Sequence, residues 1–190
     1  MVKKIIKISV FIFAVLSMTH ALEPLAHGAH KASIGEVVVV RDSALKLSFV
    51  VRDAMNNDIE EAIKNSIPTS FTFTVKVNRK RGLWRDKNIG KWKFNHTVSY
   101  DSLKDEYEVY HEETGKRRIV KDFNQMVDLM VTGKVVSLTP MPRFKDGDKY
   151  ILKIKAKLDT VKLPFHLDHI LLFVKLWDFE TPWYTYEFTS

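Results

Sequence analysis

Eight cations fall within the 18 residues from Lys76 to Lys93: Lys76, Arg79, Lys80, Arg81, Arg85, Lys87, Lys91 and Lys93. Asp86 is the one acid among them, and Trp84 and Trp92 are interleaved. Cations beside amphipathic aromatics suit an anionic and partly apolar surface, such as a layer of lipid headgroups. The same pattern suits a phosphate group or an acidic protein face. Arg79, Lys80, Arg81, Trp84, Arg85, Lys87 and Lys91 are therefore the candidate partner-binding residues. The plain competing reading is a long hairpin tip kept in solution by its charge, with the tryptophans folded back into the core.

Other groups could in principle do catalysis. Asp178 and Glu180 stand two apart, so on a strand they share a face with Cα atoms about 6.5–7 Å from each other. Paired carboxylates can act as acid and base on a glycan or a peptide. If Trp177 and Phe179 point into a core, however, both acids point to water. His166 and His169, with Asp168 between them, and His27 and His30 have the H-x-x-H spacing of a helical metal pair. No third ligand follows at a diagnostic distance, and H-E-x-x-H, G-x-S-x-G and Gly-rich phosphate loops are absent from the sequence. Without cysteine there is no disulfide, thiolate site or thiol nucleophile. Asn95-His96-Thr97 matches a glycosylation sequon, a weak signal. The expectation is a protein without catalytic residues, metal or cofactor.

The N-terminus sets the compartment. Lys3, Lys4 and Lys7 precede the apolar run Ile8 to Met18, and Thr19-His20-Ala21 supplies small residues at −3 and −1 for cleavage after Ala21. This reads as a secretory signal peptide over residues 1–21. The run is shorter than the roughly 20 apolar residues of a membrane span, so an uncleaved anchor is the lesser alternative. Of the 30 basic residues, 27 remain after the leader against 23 acidic ones, a net charge of +4. That is too mild for a dedicated nucleic-acid binder. In the envelope, anionic headgroups and acidic polymers are the partners at hand.

Residues 22–34 read as a linker, and 35–190 as one β-rich domain. Leu45, Leu47, Phe49 and Val51 alternate with polar neighbours, and Phe71, Phe73, Val75 and Val77 do so more clearly still. Trp92, Phe94, His96, Val98 and Tyr100 repeat the pattern on the far side of the basic loop. Glu106–His111 and Lys116–Val120 flank Glu112-Glu113-Thr114-Gly115, a hairpin with Gly at the special backbone position. Tyr150, Leu152, Ile154, Ala156 and Leu158 form another face, opposite Lys153, Lys155 and Lys157. One helix is expected to be capped by Asn57, with Glu60 as capping-box partner and Pro68 beyond its end. A second starts at Asp122 and stops at Gly133. Such an order predicts a mainly β fold: an antiparallel β-sandwich-like domain with two short helices, α+β at the margin. In WDFETPWY (177–184), Pro182 interrupts a core strand, and Tyr184, Tyr186 and Phe188 share a face of the last one.

The C-terminal run LPFHLDHILLFVKLWDFETPWYTYEF resembles the end of the bacterial envelope proteins grouped as domain of unknown function 4390. So do the segment VVRDAMNNDIEEAIKNSIPTSFTFTVKV, the basic Trp-containing loop and the strands ending near SYDSLKDEYEVY. The resemblance covers about residues 36 to 188, and its most specific pieces are IPTSFTFTV and WDFETPWY. It implies an exported, β-rich protein of Gram-negative bacteria with no assigned activity and no established functional residues. Because such genes often lie beside a membrane sensor histidine kinase, it also implies a sensory role in the periplasm. The combined expectation is a periplasmic, non-enzymatic binding domain whose basic loop meets lipid headgroups or a sensor-kinase ectodomain. A glycan hydrolase using Asp178 and Glu180, and a structural assembly subunit, are the alternatives.

Overall fold

Alternation of large apolar and small polar side chains dominates the computed structural model, which describes residues 32–159 and 179–190. The leader, His27 and His30, most of the expected linker, Pro164, the His166–His169 pair, Ile170–Trp177 and Asp178 lie outside the described residues. Nine strands and two short helices are present among those described: β1 (Ser33–Arg41), β2 (Leu45–Arg52), α1 (Asn57–Lys64), β3 (Thr69–Arg79), β4 (Lys87–Asp101) and β5 (Glu106–His111) come first. They are followed by β6 (Lys116–Val120), α2 (Phe123–Val131), β7 (Thr132–Leu138), β8 (Lys149–Asp159) and β9 (Tyr184–Thr189). All described pairings are antiparallel. They make a small sheet in the order β1-β2-β7 and a large one in the order β6-β5-β4-β3-β8-β9. The mainly β, sandwich-like architecture with two helices is thus the one the periodicity predicts.

The two sheets bury the faces that alternate inward. Leu45, Leu47, Phe49 and Val51 of β2 meet Phe71, Phe73, Val75 and Val77 of β3, all at most 3% exposed. The Phe49 and Phe73 rings lie 5.1 Å apart and Phe73 and Phe94 5.3 Å apart, within aromatic contact. Each such side chain contributes about 1.5–3 kcal/mol when fully buried, so this layer carries much of the fold's stability. The small sheet has half as many strands as the large one. Its shortfall is made up by the helices, which bury Ile59, Ala62 and Ile63 from α1 and Met126, Met130 and Val131 from α2.

Three local expectations need correction. Asn56, not Asn57, caps α1: it is extended (φ −124°, ψ 172°), and its side-chain oxygen accepts from the Ile59 N–H at 2.8 Å. Glu60 is therefore no capping-box partner and bonds Lys64 one turn on. Asp122 does cap α2, accepting from the Gln125 N–H at 2.8 Å. Gly133, however, does not stop that helix. The chain turns extended at Thr132 and enters β7, a strand that the periodicity does not reveal. Gly133 sits where a Cβ would come within 2.3 Å of the Phe49 ring, so its lack of a side chain is what lets β7 close on β2. Gly115 behaves as expected, with φ +66° in the β5–β6 turn.

Both flanks of β2 are irregular. The β1 register shifts between Gly35 and Val38, where Glu36 takes φ +51°. On the other side the β2–β7 register shifts between Leu47 and Phe49, and Val135 takes φ +52° while its N–H bonds the Ser48 hydroxyl at 3.0 Å. These are β-bulges, which kink and twist the strand that carries them.

Candidate functional site

The basic segment is less of a loop than its composition suggests. β3 continues through Arg79 and β4 resumes at Lys87, so Lys76, Arg79, Lys87, Lys91 and Lys93 are strand residues and only Lys80–Asp86 form the tip. Arg79 and Lys80 fasten the base of this hairpin to the neighbouring strands. The Arg79 Nε lies 2.7 Å from the Asp148 carboxylate, and the Lys80 Nζ donates to both Glu187 oxygens at 2.8 Å. Beyond them the tip carries Leu83, 96% exposed, and Trp84, 79% exposed, between Arg81 and Arg85. Among the described residues no ion pair engages Arg81, Arg85, Lys87 or Lys91. The two tryptophans therefore differ: Trp84 stands in solvent, whereas Trp92 packs against the core and donates its Nε1–H to the Thr139 carbonyl at 3.1 Å.

That indole forms one wall of a cleft of about 570 Å³ at the base of the hairpin. Arg79, Lys87 and Lys91 line it from the hairpin, and Arg143 and Lys145 from the loop between β7 and β8. The Trp92 ring also lies across Gly90, whose Cβ, if it had one, would meet the ring at 2.1 Å. The loop is held by the Lys145 N–H, which donates to the Tyr150 hydroxyl at 2.7 Å, and by Phe144 packed on Tyr150 and Phe188. Of these five cations Arg79 is matched by Asp148, while among the described residues the other four have no ion pair, and low-dielectric walls focus the field of such charges.

The positive charge extends over the outer face of the large sheet. Lys76 of β3 lies directly opposite Lys91 of β4 and Lys153 of β8, and Thr74 lies between Lys93 and Lys155 in the next row. Like charges placed opposite each other across strands are destabilising. The face is partly relieved by Trp183, whose ring lies under the Lys76 and Lys155 ammonium groups at 4.7 and 5.4 Å. It is relieved too by Glu180, which pairs with Lys155.

Of the alternative catalytic pair, Glu180 is thus engaged and solvent-facing, and it lines neither the cleft at the hairpin base nor the one bordered by His111, Lys116 and Asp128. Its bridge to Lys157, and the Thr181 N–H bond to the Ala156 carbonyl at 2.9 Å, continue pairing along β8 up to Pro182. Phe179 is buried edge-on against Phe71 at 5.3 Å. Among the described residues, no three His, Asp or Glu side chains are arranged to hold a metal ion, and no helix is long and apolar enough to cross a membrane. Sequence reasoning missed Arg143 and Lys145, which join the site only through tertiary structure. Their signal is two cations astride Phe144 behind a Pro-x-Pro turn, too common to single out.

A protein-family model described as Domain of unknown function (DUF4390) matches residues 29–187, most of the chain. No curated protein and no solved structure matches it.

Proposed function

The chain belongs to the DUF4390 family, and from that premise we propose that it is an exported, non-catalytic domain that docks on the anionic lipid surface of the bacterial envelope. The observation that supports this reading is the hairpin tip, where Leu83 and Trp84 stand exposed beside Arg81 and Arg85 above a cleft lined by five cations. Exposed apolar side chains usually cost solubility, but at a bilayer they enter the headgroup boundary while neighbouring cations meet phosphates. Each Lys or Arg near such a surface is worth about 1 kcal/mol. In this mechanism the tip seats in the interface, the cleft takes one anionic headgroup against Trp92, and the lysine rows of the large sheet add long-range attraction. Export by the leader would place the domain in the periplasm.

Sedimentation with vesicles tests this. The parent chain is compared with Arg81→Ser/Arg85→Ser/Lys87→Ser and with Leu83→Ser/Trp84→Ser, every form carrying the same N-terminus. The parent should bind phosphatidylglycerol-containing vesicles in a salt-sensitive way. The triple variant should lose roughly two orders of magnitude in affinity, as follows from about 1 kcal/mol per cation. Equal binding of parent and triple variant would overturn the reading. Retention by native envelope membranes but not by protein-free anionic vesicles would transfer the surface to an acidic protein, such as a sensor ectodomain.

A further inference from the structure

A second cleft, of about 760 Å³, opens where the small sheet no longer covers the large one, between the β5–β6 hairpin, α2 and the first residues of β7. Glu113 lies at its floor, with a side chain only 8% exposed. One carboxylate oxygen, Oε1, is 3.3 Å from Nε2 of His96, a fully buried ring, while Oε2 has no hydrogen-bond partner. The other His96 nitrogen, Nδ1, is 3.0 Å from the Met130 carbonyl. A carbonyl only accepts, so Nδ1 carries a hydrogen, and the remaining Nε2 must share a proton with Glu113. Burial acts to raise the Glu113 pKa, but the hydrogen bond and charge of His96 outweigh it and hold the carboxyl below its usual value. The floor therefore holds an ionised oxygen with no side-chain donor and almost no accessible surface, an arrangement that costs free energy until a donor reaches it.

The rim has the opposite character. Lys116 and Arg118 project from the inner face of β6, and Lys134 from β7, against the single carboxylate of Asp128 on α2. Inner-face positions of an edge strand would ordinarily be apolar, as Val120 is further along. Here they are cationic because they border the cleft and not the core.

We propose that this cleft is a binding site for a small amino or hydroxy acid, short peptides included. The ammonium or hydroxyl group donates to Glu113 Oε2, which a turn of that side chain brings to the floor of the cleft, and the carboxylate rests among Lys116, Arg118 and Lys134 at the rim. A ligand with only an anionic group satisfies the rim and leaves Oε2 bare. A ligand with only a donor satisfies the floor and leaves the cations unmatched. This site shares no lining residue with the basic cleft below the hairpin, so it stands or falls independently of membrane docking.

A matched series of probes tests it on the full chain: alanylalanine, its lactoyl analogue with a hydroxyl for the ammonium, and its propionyl analogue with neither. The readout is the imidazole NMR signals of His96 and of His111, whose ring centroid lies 4.2 Å from that of His96. Alanylalanine and the lactoyl compound should bind roughly tenfold more tightly than the propionyl compound, the usual size of one buried hydrogen bond to a charged group. Glu113→Gln should erase that difference. Because this variant could also unfold, Lys116→Ser/Arg118→Ser, altered at exposed positions, should independently weaken all three probes. No signal change with any probe would overturn the proposal, as would equal affinity of the parent for all three.

Discussion

The two clefts of this sandwich are built on opposite principles. The hairpin cleft gathers five cations around one indole, and its apolar tip reaches into solvent. Trp92, Arg79 paired with Asp148 and the buried Tyr150 tie it to the fold, while Lys87, Lys91 and the tip have no ion pair among the described residues. The β6–α2 cleft places its key group at the bottom, where His96 and Glu113 join β4, the β5–β6 turn and the end of α2. Charge at a surface is free to serve a partner because water already solvates it. Charge in the interior must be matched within the structure, so any vacancy left there is informative.

Substitutions can break or sharpen this contrast. The largest effect is expected at the floor of the β6–α2 cleft: His96→Leu leaves Glu113 buried beside an apolar side chain and should cost about 3 kcal/mol in urea unfolding. Adding Glu113→Gln to it should recover a good part of that loss, because no buried charge remains. If His96→Leu alone is neutral, the floor does not depend on the pair. Next comes Gly133→Ala beside the same cleft, where the new Cβ meets Phe49 and should cost about 2 kcal/mol.

A smaller effect follows pH. Burial, then the charge of His96, holds the His111 pKa below its ordinary 6.5. The unfolded chain therefore takes up that proton first, and stability present above about pH 6.5 declines as pH falls toward the folded value. Glu113, held below its ordinary 4.5, adds a second decline below that pH. Unfolding midpoints between pH 8 and 2.5 should show both limbs, and His111→Asn should flatten the upper one. The smallest effect belongs to the other cleft: Leu83→Ser/Trp84→Ser should change stability by no more than about 0.5 kcal/mol, since neither side chain is buried.

The same contrast explains what could be read from the sequence. Period-2 runs such as Phe71–Val77 identify their strands because alternation is a local consequence of the pleat, and Gly115 marks its turn for a similar reason. The cations from Arg79 to Lys91 are adjacent in the chain, so their clustering needs no fold to be seen. Arg143 and Lys145 join them only after β8 pairs with β3. His96 is legible as an inward position of β4, and Glu113 only as a turn residue; their pairing depends on the register that sets His96 opposite His111. Gly133 misleads because a glycine after an apolar helical stripe resembles a helix stop. Its true reason, the Phe49 ring, lies 84 residues earlier in the chain.

The paired bulges beside β2 bear on how copies of this chain can meet. An exposed flat strand edge invites another chain to hydrogen-bond along it, and the small sheet would be a tempting template, with Val38, Val40 and Val135 exposed. Kinks at Glu36 and Val135 spoil both of its rims for such zippering. On the large sheet, β6 is guarded by consecutive Lys116, Arg117 and Arg118, whose mutual repulsion discourages a second copy. Among the described residues this leaves β9, with its run YTYEFT, as the rim least defended against such pairing.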